Sequence, residues 1–104
     1  MVANELSRKI VFEKFDIDSD ELIVAKEITE KYSKKIQNFV EYDEIKLEMK
    51  SHSKINGKHF EIKGHVLFKN LQVLSNAEGR EIIPLVEEVM KKMLQEIEHK
   101  IRKH

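Results

Sequence analysis

From Glu44 to Lys50 the chain alternates strictly: Ile45, Leu47 and Met49 fall between Glu44, Lys46, Glu48 and Lys50. Successive side chains of a strand point to opposite faces, so this segment demands a sheet with one dry face and one wet face, and something else must cover the dry one. Two stretches elsewhere have the period to do so. Leu22, Ala25, Ile28, Tyr32, Ile36 and Phe39 recur every three or four residues, and so, apart from the adjacent Val89 and Met90, do Ile82, Val86, Val89, Met90, Met93, Ile97 and Ile101. Each set is the apolar stripe of an amphipathic helix, the first of about five turns.

Strands complete the order. Arg8 to Phe15, with Ile10, Val11, Phe12 and Phe15 among charges, predicts a first strand ending at the Asp16-Ile17-Asp18-Ser19-Asp20 turn. Asp18 or Ser19 then caps the first helix by accepting from free N–H groups of its first turn, and Asp20 and Glu21 complement its dipole. Asn56-Gly57 is a hairpin signal, since both residues tolerate positive φ; it leads into a strand from Lys58 to Phe68 with Phe60, Ile62, Val66 and Phe68 on one face. Asn70 marks a second turn before a short strand, Leu71 to Ser75, with Leu71 and Val73 inward and Leu74 outward. Pro84 lacks a donor and fits the first turn of a helix, so the last helix is expected to begin between Arg80 and Pro84.

The predicted fold is α+β, in the order β-α-β-β-β-α, as one domain over residues 1–104: a mixed four-stranded sheet with both helices packed on one face. The expected core runs through Ile28, Tyr32, Ile36, Ile45, Leu47, Phe60, Ile62, Val86, Val89 and Met93. Lys46, Glu48, Lys50, Glu61, Lys63 and His65 are left on the bare face.

Composition removes several kinds of chemistry. With no cysteine there is neither a disulfide framework nor a thiol nucleophile, and the short, charge-interrupted apolar runs offer no membrane span and no secretory signal. The expected compartment is the cytoplasm. His52, His59, His65, His99 and His104 show no metal-ligand spacing, so no metal is expected. The serines lie in no G-x-S-x-G context, and Gly57, Gly64 and Gly79 are too far apart for a phosphate-cradling loop. Acidic pairs such as Glu87/Glu88 and Asp18/Asp20 belong to solvated surfaces. No enzyme activity, cofactor or small-molecule substrate is expected.

Basic side chains remain. Lys+Arg and Asp+Glu both number 19, so any basic surface has to be local. Up to His52 there are 9 basic and 12 acidic residues, and from Ser53 onward 10 and 7. Lys31, Lys34 and Lys35 on the first helix, Arg80 before the second, and Lys91, Lys92, His99, Lys100, Arg102 and Lys103 along it form the candidate RNA-binding set, able to reach several phosphates at once. Ordinary solvated helix faces would look similar, since Glu27, Glu30, Glu87, Glu88, Glu96 and Glu98 are interspersed.

The segment from Ser75, SNAEGREIIPLVEEVMKKMLQEIEHKIRKH, resembles the end of the ribosome-associated inhibitor and hibernation-promoting factor family, where a short strand passes through a small acidic turn into a long helix with a Lys/His-rich end. Ala77-Glu78-Gly79 and His99-Lys100-Ile101-Arg102-Lys103 carry most of the resemblance, and Glu30-Lys31-Tyr32-Ser33-Lys34-Lys35-Ile36 is similar to that family's first helix. The chain departs from the family at Ile83-Pro84-Leu85-Val86-Glu87, where a Tyr-Ala-Ala-Ile-Asp run is usual, and at Gln95, Glu96 and Glu98, which stand in a usually more basic stretch. The resemblance implies a fold similar to a double-stranded-RNA-binding domain with an added strand. It also implies a non-catalytic partner of the small ribosomal subunit and its ribosomal RNA, occupying the messenger and transfer RNA channel, inhibiting translation and promoting hibernation. The alternative is a protein-interaction or self-associating module of the same fold without RNA binding.

Overall fold

The structure, a computed structural model, describes residues 9–102 apart from Asn56, and of Lys54 the backbone. Lys103, one of the candidate RNA-binding residues, and Arg8, the expected start of the first strand, lie outside the described residues. The elements are β1 (Lys9–Glu13), α1 (Ser19–Gln37), β2 (Glu44–Lys54), β3 (Gly57–Phe68), β4 (Leu71–Gly79) and α2 (Ile82–Arg102). They form one four-stranded sheet in the order β1-β2-β3-β4. β1 runs parallel to β2, and the other pairs are antiparallel.

Local chemistry accounts for the starts. Asp18 is the N-cap of α1, its Oδ1 accepting from the Glu21 N–H at 2.9 Å, with Asp20 and Glu21 in the first turn and Lys34 and Lys35 in the last. α2 begins at Ile82, so Pro84 falls in the first turn, where no N–H is needed. Lys69 and Asn70 both have positive φ, 49° and 64°, and close the two-residue β3–β4 turn.

Both helices lie on the face that Ile45, Leu47, Met49, Ile62, Val66 and Val73 present, and all six are buried. α2 contributes Ile82, Leu85, Val86, Val89, Met90, Met93 and Ile97, and α1 contributes Ala25, Tyr32 and Ile36. Fully burying one such Leu, Ile or Met side chain contributes about 1.5–3 kcal/mol. Thr29 and Ser33, buried under α1, return their hydroxyls to the helix backbone, at Ala25 O (2.9 Å) and Glu30 O (2.8 Å). Gly64 fixes how near α2 comes: a Cβ there would stand 2.4 Å from Val89 Cγ1 and 2.7 Å from Met93 Cε. Only a glycine at this inward position of β3 lets the helix seat on the strand backbone.

The structure differs from the sequence expectation in several places. β4 continues through Ala77-Glu78-Gly79, the expected acidic turn, because Ile62, Glu61 and Phe60 of the longer β3 supply partners for those residues. Leu71, expected inward, is exposed where the edge strand leaves the turn, although its partner Phe68 on β3 is buried. Phe39 is exposed because α1 has ended at Gln37; Val40 and Tyr42 enter the core instead. Ile28 and Phe60 are partly buried at the core margin. In the β2–β3 hairpin Lys54 pairs with Gly57, so the connection is Ile55-Asn56 and Gly57, at φ 107°, opens β3.

Candidate nucleic-acid interface

A 100° turn per residue decides where each lysine on a helix points. Tyr32 is buried on the inner side of α1, and Lys31 and Lys35 flank it, their Nζ atoms 5.0 and 5.2 Å from the ring centroid. Both ammonium groups use the negative face of the ring. Lys34 points outward, away from the stripe, and makes no ion pair among the described residues.

Glu87 of α2 meets this cluster. Tyr32 Oη donates to Glu87 Oε2 at 3.3 Å, and Lys31 Nζ is 3.7 Å from the same oxygen. Burial, then the Glu87 charge and its hydrogen bond, hold the Tyr32 phenol above its ordinary pKa. Lys91 follows Glu87 by one turn, so it lies on the same flank of α2, exposed and with no ion pair among the described residues. Lys31, Lys35 and Lys91 therefore border the line where the two helices meet.

Lys92 lies a quarter turn or so further round and faces β4. Its Nζ is 2.9 Å from Glu88 Oε2 and donates to the Asn76 carbonyl oxygen at 3.2 Å. Lys100 is 4.0 Å from Glu96 Oε2. His99 and Arg102 are exposed near the end of α2. Arg80 stands at the hairpin end of the sheet, where a Cβ on Gly57 would meet its Nη1 at 3.6 Å. The set thus separates into an interhelical group, a group facing β4, and Lys34 and Arg80 apart from both.

The bare sheet face likewise carries paired charges. Lys14 pairs with Glu48 (3.4 Å), Lys46 with Glu13 (3.9 Å) and His59 with Glu78 (3.1 Å), while Asn76 donates to Glu61 Oε2 (3.2 Å) and His65 Nε2 to Gln72 Oε1 (2.7 Å). Charges of both signs are interleaved and offer a polyanion no excess. No group of His, Asp or Glu among the described residues has the geometry of a metal site, and no helix is long and apolar enough to cross a membrane.

The sequence reading missed two elements. Tyr32 was legible as a stripe residue, but its contact with Glu87 depends on how the helices pack. Gly64 carried a signal, a glycine between Ile62 and Val66 on the inward alternation of a strand.

No family model and no curated protein matches the sequence. Solved structures do match. A ribosomal subunit interface protein from Coxiella burnetii is 16% identical with a TM-score of 0.63, over 89% of this chain and 96% of that one. The N-terminal domain of Thermus thermophilus Protein Y is 9% identical with a TM-score of 0.58, over 88% of this chain and 94% of that one. Element order, the mixed sheet and the helix-covered face thus agree across nearly the full length, and the chain has the fold of a ribosomal subunit interface protein.

Proposed function

We propose that this chain is a non-catalytic ribosome-binding factor of the cytoplasm. It binds the small subunit through ribosomal RNA and occupies the messenger and transfer RNA channel, inhibiting translation and promoting hibernation. The observation that carries this reading is the likeness, over 89% of the chain, to a protein of the ribosomal subunit interface, joined to the candidate lysines that project from the two helices.

Lys31, Lys34, Lys35, Arg80, Lys91, Lys92, His99, Lys100, Arg102 and Lys103 are the proposed contacts. Lys34 and Lys91 are ready to meet phosphate, whereas Lys31, Lys92 and Lys100 must first leave a glutamate. Exposed ion pairs of that kind are worth about 0–1 kcal/mol, so the exchange costs little. With 19 charges of each sign, affinity arises from local counterion release and falls steeply with salt.

The test is co-sedimentation with small subunits at two salt concentrations. One variant combines Lys34→Glu, Lys35→Glu and Lys91→Glu; another combines Lys92→Glu, Lys100→Glu and Lys103→Glu. Both are expected to lose binding, with thermal melts close to the parent's. On double-stranded RNA each lost phosphate contact lowers the salt slope by about one unit without changing sequence preference. Parent-like sedimentation of both variants overturns the RNA-binding reading.

A further inference from the structure

The two edges of the sheet are unequal. Among the described residues β1 spans five, Lys9–Glu13, and is bordered by the Lys14–Glu48 and Lys46–Glu13 pairs, which discourage another strand from docking. β4 is nine residues long and contains most of the longest uncharged run in the chain, Asn70 to Ala77. No proline interrupts it, its pairing with β3 is continuous from Leu71 to Gly79, and Leu71 and Leu74 are 54% and 67% exposed. A long edge with exposed leucines, whose one charged residue is Glu78 near its end, has few of the usual devices that keep edges apart.

The direction of its free backbone groups follows from one hydrogen bond. Asn76 O receives Lys92 from outside the sheet, so the N–H and C=O of Asn76, and of Leu74 and Gln72 two and four residues before it, point away from β3. Lys92 covers one of these acceptors, held in place by Glu88 at 2.9 Å.

We propose that β4 is a strand-pairing surface for a second copy of this chain, and that Lys92 is its gate. The pairing is antiparallel about a two-fold axis at Leu74, the register that sets the more exposed leucine against its own copy. Gln72 then lies opposite the second copy's Asn76, and Asn70 opposite its Glu78, so no like charges face each other. Leu71 falls opposite Ala77. The flanks of α2 that approach each other above the strands carry both signs, Glu88 and Glu96 with Lys92 and Lys100. These features favour a second copy over a charged partner. Each Lys92 must release Asn76 O before the ladder closes, which keeps association weak in the parent. This inference does not depend on RNA binding.

Sedimentation equilibrium of the full chain tests it. Lys92→Met keeps the aliphatic stem and frees the carbonyl, and is expected to dimerise about a hundredfold more tightly than the parent, the loss of two competing charged hydrogen bonds, one in each copy, at about tenfold apiece. Adding Gln72→Pro, which removes an outward N–H while leaving the β3 ladder intact, is expected to return Lys92→Met to the parent's level or below. Adding Leu74→Lys, at an exposed site where folding is unaffected, is expected to do the same through charge repulsion at the axis. Two results overturn the proposal: a Lys92→Met protein no more associated than the parent, or a Lys92→Met dimer that survives Leu74→Lys.

Discussion

The two faces of the sheet come from alternate residues of the same strands and are held by different physics. On the covered face Ile45, Leu47, Met49, Ile62 and Val66 exclude water together with Val89 and Met93, and Gly64 lets the α2 side chains reach the backbone of β3. On the bare face each of several charged or amide groups finds a neighbour across or diagonal to it while staying partly open to solvent. Dispersion and burial depend on every atom filling its place, whereas solvated pairs exchange readily with water. Stability should therefore be concentrated on one face and solubility on the other.

The strongest way to break this contrast is to open or overfill the covered face. Leu47→Ala is expected to destabilise by about 3 kcal/mol through lost burial and a residual cavity. Gly64→Ala is expected to cost about 2 kcal/mol by overpacking, since Val89 Cγ1 has little freedom to retreat even though the end of Met93 can swing. Urea unfolding measures both, and a loss below 0.5 kcal/mol, roughly the level of a surface change, would mean that α2 does not rest on β3 as described.

Gly57 sharpens the comparison because its constraint is conformational. A Cβ has ordinary room there, 3.6 Å from Arg80 Nη1, but φ is 107°. Gly57→Val is expected to cost about 1 kcal/mol or more, and an unchanged melting temperature would show that the turn accepts another backbone.

Tyr32 gives a smaller, pH-dependent effect. Its folded-state pKa is raised, so the folded chain holds the phenolic proton more tightly than the unfolded chain does. The resulting stability is fully present below the unfolded value of about 10 and is lost as pH rises through the folded one. Tyr32→Phe should flatten that alkaline loss. Equal alkaline slopes in parent and variant would show that the phenol is not its source. The smallest effect belongs to the bare face, where Glu61→Gln is expected to stay within about 0.5 kcal/mol in the same urea assay. A loss comparable to that of Gly64→Ala would erase the contrast between the faces.

Much of the fold was legible because its signals are local. The alternation of Glu44 to Lys50, the Asp18 cap, the position of Pro84 and the two stripes each depend on neighbours within a turn or two of chain. Misjudged points depend on distant partners: β4 reaches Gly79 because β3 extends to meet it, and Leu71 is exposed because β4 is an edge strand with a neighbour on one side only. Of the candidate interface, the identities of the lysines were legible and their company was not. Nothing near Lys92 in sequence indicates Asn76, and nothing near Tyr32 indicates Glu87.

By itself the sequence determined the element order, the one-faced sheet and which residues of each helix turn inward, because side-chain period and capping act over a few residues. Only the tertiary structure decided that Gly64 seats α2, that Glu87 gathers Tyr32 and Lys31, and that a strand with a single charged residue lies at an edge with Lys92 across it. Those outcomes depend on strand register and helix rotation, which the packing of the whole core sets and no single segment encodes.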